Sequence, residues 1–313
     1  VTTPYVEGYL NQPYVTVAEF KAAPTWLDVD NLVPGGVQSQ QDAELFNVLL
    51  RASAWADNFV GQKLGAHTAN EQFRTRVDRQ GRIFLHPSNI PVRSITALAF
   101  GADFQNLQPL TDFTQVWIED ARGIIVSAIP WRGSWSGSLE FGMVPCDGSE
   151  VYVQIQYVAG YASTVLSASA TAGGTSVTVA DPTGFQIPST TPYGLSVTLP
   201  GSTVRIWDPA FEEAVTVTSI AGNTVNLTGA LLSDHTVAAG PAGQVGISEF
   251  PPEIHQAVIS MAVALMMRED VSEEDPFSGS PYGPSARRSG SGGKAGGLLD
   301  NAYELLEPYR RVR

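Results

Sequence analysis

Residues 40–60 read QQDAELFNVLLRASAWADNFV, and their spacing decides half of the fold. Leu45, Val48, Leu49, Ala52, Trp55, Ala56 and Phe59 recur at intervals of three and four, the stripe of an amphipathic helix. Asp42, Glu44, Asn47, Arg51 and Asp57 fall largely on the other faces, and Gly61 is placed to end the helix. Residues 151–157, VYVQIQY, follow the other period. Val151, Val153, Ile155 and Tyr157 share one face and Gln154 and Gln156 the other, as in a half-buried strand. Both periods in one chain, in separate regions, predict an α+β protein.

Towards the N-terminus, Thr16-Val17-Ala18-Glu19 fits a capping box, with the Thr hydroxyl on the third helical amide and the Glu reaching back to the cap amide. A short helix should follow and stop before Pro24. Residues 1–13 read as an extended arm without the charged and apolar regions of a signal peptide. Towards the C-terminus, Ile254, Val258, Met261, Ala262, Leu265 and Met266 form a second helical stripe, opening at Pro251-Pro252 and ending near Arg268. Residues 277–297, FSGSPYGPSARRSGSGGKAGG, read as a flexible linker, and a short last helix is expected at about 298–307.

Between the helices the pattern is β. Phe73–Val77 and Arg82–Leu85 flank a turn at Asp78-Arg79-Gln80-Gly81, and Ile95–Phe100, Val116–Ile118 and Gly123–Val126 follow. From Ser163 to Gly246 the chain turns rich in Ser, Thr, Gly and Val, with short strands at 176–179, 204–207, 214–219 and 224–228. Val215-Thr216-Val217-Thr218, then Gly222-Asn223, then Val225-Asn226-Leu227-Thr228 is a hairpin signal. This stretch reads as an inserted all-β barrel or sandwich. The expected units are an arm at 1–13, a helical and β-rich core at 14–162, the insert at 163–247, a core helix at 248–276, a linker at 277–297 and a C-terminal segment at 298–313.

Composition narrows the function classes. The 313 residues carry a net charge of −13, against general nucleic-acid binding, which needs clustered Lys and Arg. The exception is the C-terminal stretch from Phe277, where Arg287, Arg288, Lys294, Arg310, Arg311 and Arg313 outnumber Asp300, Glu304 and Glu307. The lone Cys146 excludes an internal disulfide or a cysteine-ligated metal. No apolar run approaches the ~18 residues of a membrane-spanning helix.

Catalytic motifs fail on inspection. Lys294 sits in a Gly-rich stretch, but Arg288 and Ala295 break the phosphate-loop pattern. Gly133-Ser134-Trp135-Ser136-Gly137 places Trp where a nucleophile elbow needs Ser. Asp28 and Asp30 begin like a calcium loop, but Ser39 stands in place of its Glu. His67, His86, His235 and His255 are scattered, and His255 reads as a capping or surface residue. Glu269, Asp270 and Glu273–Asp275 read as a solvated helix end. No catalytic residue, metal site or cofactor site is expected.

The order of pieces is informative. The capped segment YVTVAEFK (14–21), the Leu45…Leu49-Leu50-Arg51-Ala52-Ser53…Trp55…Asp57 helix, Ile90-Pro91-Val92-Arg93-Ser94-Ile95, the strand ending Tyr157-Val158-Ala159-Gly160-Tyr161, the PPEIHQAV helix from 251, and the close Leu305-Leu306-Glu307-Pro308-Tyr309-Arg310 form an ordered set. This set resembles the head–tail connector, or adaptor, proteins of long-tailed bacteriophages, over residues 14–161 and 248–313. The 163–246 insertion, the long β region and the Gly/Ser stretch depart from the family's compact form.

The resemblance implies a structural virion protein without catalysis. It would form a homo-oligomeric, dodecameric ring under the portal protein, extend the DNA channel and offer a surface to the next neck or tail protein. It implies a helical core built on Leu45, Leu49, Ala52, Trp55, Phe59, Ile254, Val258, Met261 and Leu265. It also implies a portal-docking C-terminus, with Leu305, Leu306, Tyr309, Arg310, Arg311 and Arg313 as its contacts. Such a tail, mobile and basic, would gain binding energy by ordering on an acidic neighbour, while an acidic body would repel DNA passing through the channel. Two other classes stay open: a tail completion or terminator protein, and a carbohydrate-binding module using Trp131, Trp135 and Trp207.

Overall fold

The computed structural model describes residues 12–25, 27–78, 82–110, 113, 116–119, 124–128, 150–190, 198–199, 201–269 and 294–310. Helices come from both ends of the chain: α1 (Val17–Ala22), α2 (Gln38–Val60), α3 (Pro252–Glu269) and α4 (Lys294–Leu306), the last followed by a 3-10 turn at Glu307–Tyr309. The strands between them are β1 (His67–Arg76), β2 (Arg82–Leu85), β3 (Val92–Gly101), β4 (Gln108–Pro109), β5 (Val116–Glu119), β6 (Ile124–Ala128), β7 (Glu150–Ala159) and β8 (Ser163–Val165). They continue with β9 (Ser176–Thr178), β10 (Ser189–Thr190), β11 (Thr198–Leu199), β12 (Thr203–Trp207), β13 (Glu212–Ala221), β14 (Thr224–Leu227) and β15 (Gly246–Ser248). The protein is α+β.

The helices converge on α3. Leu45, Leu49, Ala52, Ile254, Val258 and Met261 are fully buried in one cluster with Phe20 of α1 and Leu299, Ala302 and Leu306 of α4, while Trp55, Phe59 and Leu265 pack half-buried at its margin. Each such Leu contributes on the order of 2–5 kcal/mol against truncation to Ala. Two acidic residues expected on the outer faces of α2 are drawn inward. Asp42 is buried because Lys21 of α1 reaches its Oδ1 at 2.5 Å, tying the two helices together. Asp57 is enclosed by Tyr14 and the loop after α2. Gly61 ends α2 in the left-handed conformation, at φ 77°.

The first β unit is two antiparallel sheets, β1-β7-β3-β4 and β2-β6-β5, sharing one apolar cluster. Along β7, Val151, Val153, Ile155, Tyr157 and Ala159 are all buried, the alternation read from the sequence. Strand β1 starts six residues before the expected Phe73, because its whole length from His67 to Arg76 pairs with β7.

The second unit is a six-stranded sheet in the order β8-β15-β12-β13-β14-β9. It curls until its end strands meet: Leu166 bridges Val179, Ser167 N–H donates to Thr178 O and Ala180 N–H to Val165 O, each bond 2.9 Å. Closure removes the exposed strand edges that invite aggregation. A bulge at Val217–Ser219 in β13 bends the sheet, and Gly201 permits the close approach, since a Cβ there would lie 1.9 Å from Val217 O. The β13–β14 hairpin turns at Gly222, φ 59°, with Ala221 paired to Thr224. The barrel encloses its own apolar cluster, including Val177, Val179, Val204, Ile206, Val217, Val225 and Ile247.

The C-terminal end differs from expectation. Helix α4 begins at Lys294, inside the stretch read as linker, and its apolar face lies on α3. The remaining turn and linker residues (Arg79–Gly81 and 277–293), Trp131, Trp135, Cys146, Arg311 and Arg313 lie outside the described residues.

Candidate functional site

The three apolar clusters meet where the chain leaves β7, passes Gly160 and Tyr161 into the barrel, and returns through Ser248 and Glu249 to α3. The loop after α2 forms the floor: Tyr161 N–H donates to Leu64 O and Ala66 N–H to Tyr161 O, each at 2.8 Å. Gly160 sits at φ 96°, and a Cβ there would fall 2.5 Å from Gly65 O. Gly160→Ala combines backbone strain with a backbone clash, so a loss above about 2 kcal/mol is expected by urea denaturation.

Arg93 of β3 spans this junction. Its Nε donates to Gly160 O at 2.8 Å, its Nη1 to Gln186 Oε1 at 3.3 Å, and its guanidinium lies 5.3 Å from the Tyr161 ring centre. Its Nη2 stands 2.8 Å from Glu249 Oε2, with both side chains nearly out of solvent. That approach is off-axis and leaves Oε2 without an aligned hydrogen bond, so the contact is an ion pair. Burial raises the Glu249 carboxyl above its usual range, and the Arg93 charge opposes the rise.

His255 corrects its surface reading. Its Nδ1 faces Glu19 Oε1 at 2.6 Å and its Nε2 faces Ser248 Oγ at 3.3 Å, linking α1, α3 and β15. The expected capping box is therefore half made. Glu19 N–H donates to Thr16 Oγ1 at 3.1 Å, but the Glu19 carboxylate turns to His255. Ser, His and Glu in this order are the parts of a hydrolytic triad. The cleft over them, lined also by Trp207 and Arg205, has about 20 Å³ of free volume, room for one water. Ser248 Oγ already accepts from Phe250 N–H at 3.0 Å. The three side chains link α1, α3 and β15 as a strut.

A second histidine arrangement lies inside the barrel. His235, fully buried, faces Asp208 Oδ2 through Nδ1 at 2.6 Å and Glu213 Oε1 through Nε2 at 2.7 Å. The ring thus bridges the two acidic side chains through both of its nitrogens. The carboxylates have further partners: Asp208 accepts from Ala210 and Phe211 N–H, and Glu213 from Leu232 N–H. No sequence signal points to this triad, whose members are separated by 5 and 22 residues without a recognisable motif.

The residues expected to dock on a portal are placed as follows. Leu306 is fully buried among its own helices and is committed there while α4 is seated. Leu305 and Tyr309 are half-buried, with the Tyr309 ring edge-on to Tyr161 at 6.5 Å. Arg310 is exposed and lies 5.5 Å from the Phe59 ring centre, which in turn stacks on Tyr303 at 4.4 Å. Up to Arg310 the tail, expected to be mobile, is packed on its own body. Among the described residues no group of three or more His, Cys, Asp or Glu is disposed to hold a metal ion, and no helix is long and apolar enough to cross a membrane.

No protein-family model matches the chain, and no curated protein matches it. A solved structure described as the neck of an empty GTA particle computed with C6 symmetry aligns over 96% of this chain and 95% of that chain, at 15% identity and a TM-score of 0.34. A likeness that loose carries no functional argument.

Proposed function

We propose that this chain is a structural connector of a phage-like virion, one subunit of a homo-oligomeric ring that joins the head to the neck or tail. The observation that carries this reading is the convergence of the chain's two ends. The segments that resemble the adaptor family, α1 and α2 from the start and α3 and α4 from the finish, pack into one apolar cluster, with the β units as excursions between Val60 and Phe250. In this reading the portal contact falls to Tyr309, Arg310, Arg311 and Arg313, with Leu305 beside them and Leu306 anchoring the segment to α3. The net charge of −13 lets DNA pass without adhering. Val37, Phe104, Phe211 and Leu232, each at least 40% exposed, are candidates for burial between subunits.

The test is the copy number of this protein relative to the portal in purified source particles, by quantitative mass spectrometry. A one-to-one ratio is expected for a ring seated on the portal. A ratio of one half or less would move the protein to the tail side, as a completion or terminator protein. Absence from particles would overturn the virion reading.

A further inference from the structure

Two exposed patches of opposite charge lie on different units of the chain. The first is at the far end of the first β unit. Val77 and Ile83 are buried where β1 meets β2, and the alternation of both strands then turns Arg76, Arg82 and Phe84 to the outer face. Across the β1–β7 register Arg74 faces Tyr152 and Arg76 faces Glu150. Arg74 Nε donates to Glu150 Oε2 at 3.0 Å, and Arg76 shares that carboxylate, with Nη2 3.6 Å from Oε1. Arg82 Nε lies 3.2 Å from Asp78 Oδ2. The Arg74 guanidinium stands 5.9 Å from the Tyr152 ring centre, and that of Arg82 5.6 Å from the Phe84 ring centre. Phe104 fixes Tyr152 edge-on at 4.7 Å. Three arginines thus share two carboxylates beside exposed rings, in a chain whose net charge is −13.

The second patch is on the helical unit. Phe59, in the last turn of α2, stacks on Tyr303 of α4, and the two rings form an open groove with Asp300, Glu304, Glu307 and Arg310. The Arg310 guanidinium lies 5.5 Å from the Phe59 ring centre, and its Nη1 is 3.5 Å from Glu307 Oε1. The groove therefore already holds one guanidinium between an aromatic face and a carboxylate. Against that single cation it presents three exposed carboxylates.

We propose that the arginine patch of one copy docks in the acidic, aromatic groove of a second copy. Charge complementarity carries the choice of partner. Copies of an acidic chain repel one another unless a positive patch on one meets a negative patch on the next, and that pairing also sets their orientation. The groove offers Arg74, Arg76 and Arg82 the same ring and carboxylate surroundings that Arg310 has there. Within one chain the patches are held apart. Arg74 stands seven residues beyond His67, about 23 Å along β1, and β1 packs in the β cluster and not on the helices. A contact between two different patches repeats head to tail and closes into a ring where the rotation allows. The ring rests on the connector reading above, and the contact rests on the two patches.

Sedimentation velocity of the full chain reads the contact. The wild type is expected to associate with rising concentration at about 50 mM salt, and less at about 300 mM, because exposed charges are then screened. Arg76→Glu and Glu304→Arg, both at exposed positions, are each expected to weaken association by about tenfold or more. The two combined in one chain should restore it, since the reversed charges again face one another. Unchanged thermal midpoints in the variants separate a lost contact from a lost fold. A wild type that stays monomeric at low salt, a combined variant no better than the single ones, or association indifferent to either reversal would each overturn the proposal. Any of these results beside a one-to-one copy number in particles would keep the ring and remove this contact.

Discussion

Replacing His235 with Ala is expected to destabilise the barrel by about 3–5 kcal/mol, because it strands two carboxylates where they cannot be solvated. Asp208 and Glu213 are each 6% exposed and face the imidazole from opposite sides. With the ring gone, the two acidic side chains face one another across an empty site. Each then loses a buried hydrogen-bond partner that solvent cannot replace. His235→Gln should fall between the wild type and Ala, since an amide can reach one of the two acidic side chains but not bridge both. Hydrogen exchange across β12, β13 and β14 during thermal unfolding is the appropriate measurement. For a unit of the barrel's size, a loss of ~3 kcal/mol lowers its midpoint by about 12 °C or more. A midpoint within a few degrees of the wild type would mean that the carboxylates find other partners and that the triad does not hold the barrel.

The second large effect is expected at Arg93. Arg93→Met removes the cation facing Glu249, together with the donors to Gly160 and Gln186, and should cost about 3–5 kcal/mol. Much of that cost is the unpaired Glu249 carboxyl, whose titration burial already shifts upward. Pairing Arg93→Met with Glu249→Gln should therefore recover a large share, giving a coupling of about 2 kcal/mol in a double-mutant cycle. Simple additivity in urea denaturation would show that Arg93 acts through packing on Tyr161 and not through the ion pair. Arg93→Lys should resemble Met more than Arg, because an ammonium cannot reach Gly160, Gln186 and Glu249 together.

The elements legible in the sequence were those set by short-range periodicity. The Leu45–Phe59 stripe, the Val151–Tyr157 alternation, the Thr16 cap and the Gly222-Asn223 turn depend on residues within one or two turns of each other, so spacing identifies them. Helix α4 began earlier than expected because the apolar face it lays on α3 stabilises a Lys-Ala-Gly-Gly start that propensity alone disfavours. Helical phase alone turns Asp42 and Asp57 outward, because it gives a direction and not a neighbour. Lys21 and Tyr14, 21 and 43 residues away, turn those positions into part-buried polar contacts.

The sequence by itself determined the α+β class, the two helical stripes, the hairpin of the barrel and the absence of a recognisable catalytic motif. These follow from local period, turn chemistry and composition. Only the tertiary structure decided that the sheet of the second unit closes on itself, that Glu19 leaves its cap for a histidine 236 residues away, and that Arg93 and Asp57 hold the junction. The physical reason is common to all of these. A buried charge or hydrogen-bonding group must be satisfied by whatever the fold brings within about 3 Å of it. Sequence separation does not encode that proximity.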